Sequence, residues 1–522
     1  MNKAKCIFIV IPLFISCTKN DKPGWLASPD SEYQVHIETD VKGAAFYSIE
    51  SDGKTVIDRS RLGLDIRNAE FDFSQGLVLT DTRKRLIDET YTLPTGKTSL
   101  YINRCNEKEF HFRNMEGNIL TAIFRAYDDG VAFRYQVNAN DSLEIVSDLT
   151  EINLASLNSD CWIMDYIANY EGYYPKRKYE DIMQKDLSYP ALVHLNSEKW
   201  ILVTEAAVYD EPASHLRKET ACNLLTVKKP EGFITAGNYL SPWHVLIMGD
   251  DPGTIFESIM VENLNPTSEL ADESWIDPGV AVFPWWGNYQ ANSWIDTLKM
   301  YVDLAAAMDW EWIEFDVSII GSTWRTSKEW RTTGWISEFT SYAESKGIKV
   351  YGWDEIGVLD REMDYVFGRY RELGIRGIKI DYIDSDDAFS MRFRDRAMRE
   401  AARYQLHVSF HGETVPRGQR RRYPNVMTLE GVRGAEYYTF RGAEPPTPAH
   451  NTTLPFTRNV VGPMDYTPAT FTIREENPRI TSYAHELALP IIFESGWMTM
   501  ADRPAAYLNS PAREMLKQLK AT

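Results

Sequence analysis

Carboxylates and indoles gather at the ends of a series of short apolar runs in the second half of this 522-residue chain. Trp285 and Trp286 close GVAVFPWW, Asp316 falls in WEWIEFDV, and Trp353 and Asp354 follow GIKVY. Asp381 and Asp384 end GIRGIKIDYIDSD, His411 ends LHVSFH, Glu430 ends VMTLE, and Glu436 follows in GVRGAEY. A set rich in Asp, Glu and Trp, with one His and no Cys, suits cleavage of a glycosidic bond. In that chemistry one carboxylate attacks the anomeric carbon or activates water, and a second protonates the departing oxygen. The second must keep its proton near neutral pH, which requires burial or nearby negative charge. Asp386 and Asp387 read differently, as residues that start the next helix.

These residues need elements that bring their ends together. From about residue 275 the chain alternates strand-like runs with amphipathic helical stretches. The runs begin at 279–286, 310–317, 347–353, 374–383 and 406–412, with looser units near 426–431 and 456–462 and a last one near 497–502. Repeated βα units over about 250 residues predict a (β/α)8 barrel, whose function gathers where strands run into the following loops. A doubly wound open sheet is the alternative, but no GxGxxG opens any helix. Upstream, between about 30 and 265, runs such as YQVHIET, GVAFRYQV and KWILVTEAAVY alternate with period two between turn residues. That pattern predicts a large antiparallel β-sandwich. The expected division is a leader over 1–20, a sandwich domain over 21–274 and a barrel over 275–522.

The formal net charge of −19 argues against nucleic-acid binding, and the basic run PRGQRRR is too short to reverse it. The sequence holds no GxSxG elbow, HExxH pair or phosphate-binding loop. The first 20 residues place Lys3 and Lys5 before an apolar stretch from Cys6 to Ile15, the form of an export signal too short to span a bilayer. LFISC resembles a bacterial lipobox with Cys17 as the lipidated residue; a lipid anchor and plain secretion both stay open. Cys105, Cys161 and Cys222 are too sparse for a disulfide framework.

Three long segments carry a resemblance. GIRGIKIDYIDSDD, HVSFHGETVPRGQRRRYPNVMTLEGVRGAEY and TPAHNTTLPFTRNVVGPMDYTPATF resemble glycoside hydrolase family 97, in order and across the barrel. The resemblance implies a bacterial enzyme, exported to the periplasm or outer membrane of a Gram-negative cell, that acts on α-galactosides or α-glucosides with one calcium ion. It implies Asp381 as nucleophile and Glu436 as acid/base of a retaining mechanism, because Gly412 stands where inverting members carry their basic Glu. Glu413, one place on, is the alternative base. Retention predicts carboxyl groups about 5–5.5 Å apart, against about 6.5–9.5 Å for inversion. Glu430, Glu436 and, from the sandwich, Glu171 are the implied calcium ligands. His411 and His450 are expected at sugar hydroxyls with Asp354 and Lys379 near them, and Trp285, Trp286 and Trp353 as stacking platforms. The family's C-terminal β-domain is expected to be absent, since the chain ends on LNSPAREMLKQLKAT, and a monomer is expected.

Overall fold

The computed structural model describes residues 23–156, 158–196, 198–219, 224–316 and 335–522. The leader with Cys17, and Cys222, lie outside the described residues; Cys105 and Cys161 are buried free thiols. No described helix is long and apolar enough to cross a membrane.

The N-terminal half is a sandwich of antiparallel sheets. One sheet has eight strands and runs from Trp25–Ala27 to Lys185–Leu187; a second has ten and contains Ile119–Tyr127, Gly130–Asn138 and Trp243–Gly249. Strict alternation in sequence becomes alternation in burial: along Ala45–Ser51 every second side chain is buried. Those inward residues meet the other sheet, where Tyr47 lies 4.8 Å from the Phe133 ring and Phe133 stacks on Phe124 at the same distance. Burying such aromatic faces is the main force holding two sheets together.

The second half forms a parallel, nearly closed barrel. Its strands are β1 (Gly279–Val282), β2 (Trp312–Phe315), β3 (Lys349–Glu355), β4 (Gly377–Asp381), β5 (His407–Phe410), β6 (Val426–Leu429) and β7 (Trp497–Met500), and β7 returns to pair with β1. Helices α1 (Ile295–Ala307), α2 (Trp335–Ser345), α3 (Ile356–Glu372) and α4 (Ala388–Arg403) pack outside. Their apolar faces meet Ile313, Phe315, Ile378, Ile380, Val408 and Phe410, the outward residues of β2, β4 and β5. Trp312, Tyr351 and Trp497 fill the interior near the strand starts, with Tyr351 stacked on Trp497 at 4.1 Å.

The barrel departs from expectation at one position. FTRNVVG does not form a strand; it makes two short 3-10 turns, Leu454–Phe456 and Arg458–Val461. The gap between β6 and β7 is filled by the irregular stretch 462–466, in which Met464 N–H donates to the Glu494 carbonyl and Asp465 N–H to that of Leu429, each at 2.9 Å. Buried Arg458 donates to the carbonyls of Leu429, Glu430, Gly431, Gly462 and Pro463. Its guanidinium thus satisfies carbonyl oxygens that a regular ladder would otherwise pair.

Candidate active site

Counting by twos along the barrel strands identifies the side chains that reach the interior. On β4 the outward Ile378 and Ile380 alternate with Lys379 and Asp381, and on β5 Val408 and Phe410 precede His411. Glu430 follows β6, and Glu436 sits in a 3-10 turn, Ala435–Tyr438, a few residues later. These groups line one cavity of about 300 Å³ at the carboxyl ends of the strands, closed at the rim by Trp285 and Phe440. The sandwich contributes Glu171, from the loop between strands Asp160–Trp162 and Lys176–Lys178.

Asp381 is held from two sides: Trp353 Nε1–H donates to its Oδ2 at 2.9 Å and Tyr382 N–H to its Oδ1 at 2.8 Å. Lys379 Nζ lies 3.5 Å from Glu436 Oε1 and 3.5 Å from Glu314 Oε1. Burial works against the lysine charge, but Glu314 and Glu436 overcome it and hold its pKa above the ordinary range. Burial, together with Glu430 and Asp381, pushes the Glu436 carboxyl up to about 7 despite the pull of Lys379 and His411. Glu171 rises further, to about 9, through burial and then Glu430, although Tyr437 donates to its Oε2 at 2.7 Å. Asp384, beside Asp381, is likewise raised by burial and by the Asp381 charge.

Glu171 and Glu436, each pushed up by burial and by the Glu430 charge, make with it a site suited to a hard cation, which prefers oxygen ligands. Among the described residues Glu436 Oε1 is buried without a hydrogen-bond partner, and ligand atoms of His411, Glu430 and Glu436 lie within 4.8 Å of one another. The residues present therefore fit a divalent ion. Among them His411 is the least suited to ligate it. Its Nδ1 lies 3.0 Å from Glu430 Oε2 and its Nε2 3.0 Å from Asp465 Oδ2. Burial opposes its charge, yet Glu430 and Asp465 hold its pKa well above the usual imidazole value. With both ring nitrogens engaged, the expected sugar contact through His411 has no free N–H, although the ring borders the cavity.

Other expected contacts are displaced. Trp286 is fully buried in the core, its indole N–H donating to the Ala435 carbonyl at 2.8 Å, because the turn after β1 directs only Trp285 to the cavity. Asp354 is buried outside the cavity: next to inward Trp353, it faces the opposite side of β3, where burial and then its charge raise the pKa of Tyr370 on α3. His450 is also buried outside it, with Nε2–H on the Arg433 carbonyl at 3.1 Å and the Tyr173 ring at 5.0 Å. Trp353 lines the cavity but is almost entirely covered, so it presents an edge rather than an open stacking face.

Position 412 has a clear geometry. Gly412 adopts a left-handed φ of +50°, and a Cβ there would lie 3.1 Å from Asp384 Oδ1 and Tyr382 N. Glu413 turns away from the cavity, fully buried and ion-paired with Arg394 at 2.8 Å. Asp387 caps α4, accepting from Ser390 N–H at 2.7 Å. Asp386 does not cap; it accepts from Tyr170 at 2.8 Å and Tyr166 at 3.1 Å, tying the loop after β4 to the loop that carries Glu171. Glu314 and Asp465, which orient Lys379 and His411, were not singled out from sequence. Glu314 could have been found by stepping back two residues from Asp316.

Comparison with known proteins agrees with this architecture. Residues 26–266 match the family model Glycosyl-hydrolase 97 N-terminal, and residues 275–432 match Glycoside hydrolase 97. A Streptomyces bingchenggensis protein named "Probable retaining alpha-galactosidase" is 32% identical over 96% of this chain and 78% of its own length. The "Retaining alpha-galactosidase" of Bacteroides thetaiotaomicron is 24% identical over 96% of this chain and 82% of its own. A Pseudoalteromonas sp. strain K8 family 97 enzyme, solved with acarbose, superposes with a TM-score of 0.86 at 24% identity, covering 95% of this chain and 83% of that one. This chain belongs to glycoside hydrolase family 97.

Proposed function

We propose that this glycoside hydrolase is a retaining exo-α-galactosidase that works through a covalent glycosyl–Asp381 intermediate. The observation that carries the reading is the presence of Asp381 and Glu436 in one cavity. Asp381 accepts two hydrogen bonds that orient its carboxylate, while the Glu436 carboxyl is raised to about 7. The names of the two curated relatives support the galactosyl preference, and a cavity of about 300 Å³ suits one terminal sugar.

In the first step an Asp381 oxygen bonds to the anomeric carbon, the glycosidic C–O bond breaks, and Glu436 gives its proton to the departing oxygen. In the second, water attacks the same carbon, Glu436 takes the water proton, and the Asp381–carbon bond breaks. Lys379 keeps a positive charge beside both carboxyls, and Trp353 fixes the approach of Asp381. Glu171, Glu430 and Glu436 are the residues that would hold calcium. Such an ion would offset their mutual repulsion and draw sugar hydroxyls into place. Gly412 leaves no side chain to serve as an inverting base, and Glu413 is engaged with Arg394. The apolar leader supports export, with Cys17 as the point of lipid attachment.

Hydrolysis of p-nitrophenyl α-galactoside and α-glucoside at equal concentrations tests the substrate assignment. A kcat/KM at least about tenfold higher for the galactoside is expected, the effect of one well-placed polar contact. The reverse preference would make the enzyme an α-glucosidase of the same fold.

A further inference from the structure

A second cavity, of about 400 Å³, shares no lining residue with the first and lies at the junction of the ten-stranded sheet, the linker 263–267 and Arg421. Its floor is built by neighbouring strands. Arg134 stands opposite Ile123 in the antiparallel register, and Arg125 opposite Ala132, so both arginines project from the same face. Both guanidiniums rest on the Trp243 ring, at 4.2 Å for Arg134 and 4.7 Å for Arg125.

The pairing of charges is incomplete. Arg125 donates to Glu107 at 2.8 Å, Glu107 also takes Arg85, and Arg421 donates to Glu89 at 2.6 Å. Arg134 has no carboxylate within ion-pair distance among the described residues, and its Nε is buried without a hydrogen-bond partner. The fully buried indole N–H of Trp243, directly beneath, also lacks an acceptor among the described residues. Arg125, Arg134 and Arg421 line the cavity, and Glu89 is the one carboxylate among its described lining residues, within a chain of net charge −19. Burial and then Arg125 pull the Arg134 pKa down to about 9, the mark of a cation placed where its charge is disfavoured. A partly buried guanidinium on a strand floor, beside like charge and open to a cavity, lacks only its counter-ion.

We propose that this cavity binds a small oxyanion, a carboxylate or sulfate group, with Arg134 as its principal ligand. The planar fork of a guanidinium stacked on an indole leaves its N–H edge free for two oxygens of such a group. Ser241 and Asn103 line the same space but are engaged within the protein, Asn103 with Glu89, Asn263 and Tyr127 and Ser241 with Pro242 and Tyr135, which leaves Arg134 to bind the ligand. The anion can be the acid group of a charged glycan or a free inorganic ion. The site is separate from the reaction described above and does not depend on it.

The test is thermal unfolding of the full chain with sodium sulfate or sodium D-glucuronate, at ionic strength held constant with sodium chloride. A saturable rise in Tm of about 2 °C is expected with one or both probes. The rise should be lost in Arg134→Met, which retains length and ring contact, and kept in Arg83→Met at the exposed end of the same sheet. A stronger response to glucuronate identifies a sugar acid as the ligand, and an equal or stronger response to sulfate identifies a free oxyanion. An unchanged response in Arg134→Met, or no response in the native chain, overturns the proposal. Should Arg134→Met fail to fold, crystals of the native protein soaked in sodium selenate decide the matter. An anomalous selenium peak within hydrogen-bond distance of Arg134 supports the site, and no peak there overturns it.

Discussion

Trp353 and Asp381 occupy adjacent barrel strands, and the indole N–H of the first donates to Oδ2 of the second at 2.9 Å. The bond uses one carboxylate oxygen and leaves Oδ1, steadied by the Tyr382 amide, to vary its environment as the reaction proceeds. Trp353→Phe keeps a ring in place and removes only this donor. A fall in kcat of roughly 10- to 100-fold is expected, with KM little changed, as for loss of one oriented donor at a reacting group. Steady-state kinetics on p-nitrophenyl α-galactoside check it; a drop confined to KM would place Trp353 in binding instead.

Glu436 is assigned the proton that the leaving group needs. Glu436→Gln cannot supply it, so kcat/KM, which reports the first step, should fall about 10³-fold for substrates with poor leaving groups and less than about tenfold for 2,4-dinitrophenyl glycosides. Comparing the two substrate classes in the native and variant enzymes reads the difference directly. Equal losses on both would remove Glu436 from the acid role.

The carboxylate group of Glu171, Glu430 and Glu436 predicts a metal linked to protons. Because the Glu171 carboxyl is pushed up to about 9, calcium binding at pH 7 should displace about one proton from it. Calorimetric titration of calcium into chelator-treated protein, in buffers of different ionisation enthalpy, measures that release. Activity should fall on chelation and return with calcium, and Glu171→Gln should weaken binding at least about tenfold. Binding without proton release would separate these carboxylates from the ion.

His407 gives the stability of the barrel a pH dependence. Its Nδ1–H donates to the Arg376 carbonyl and its Nε2 accepts from the Asp277 amide, each at 2.9 Å, an arrangement open only to the neutral ring. Burial lowers its pKa to about 4. A lowered folded pKa means that the unfolded chain takes up the proton first. The contribution is therefore whole above about pH 6.5 and is lost as pH falls toward 4, by roughly 3 kcal/mol. Urea unfolding at pH 7.5 and 4.5 should show a smaller difference for His407→Gln than for the native protein.

Much of this was legible in the sequence because a strand has a period of two. Lys379 and Asp381, separated by one apolar residue, declare a shared face, and the alternation of the sandwich strands survives as alternating burial in Ala45–Ser51. The same period corrects the reading at Trp353 and Asp354: two neighbours in a strand cannot both face inward, and Asp354 faces the helices. Trp286 and His450 were misplaced for another reason, since each lies in a turn or short helix whose facing depends on tertiary packing. Asp465 lies on the irregular stretch that replaces a regular strand, where no periodicity points to it. Glu171 sits in a sandwich loop distant in sequence, and only the family resemblance brought it to the site.

The central claim, retention through Asp381, is tested most directly by following the anomer released from p-nitrophenyl α-galactoside by NMR in the native and Asp381→Ala enzymes. α-Galactose is expected as the first product. In the variant turnover is lost, and azide restores it and yields β-galactosyl azide. Release of β-galactose as the first product, or azide without effect on a folded Asp381→Ala variant, would contradict retention through Asp381.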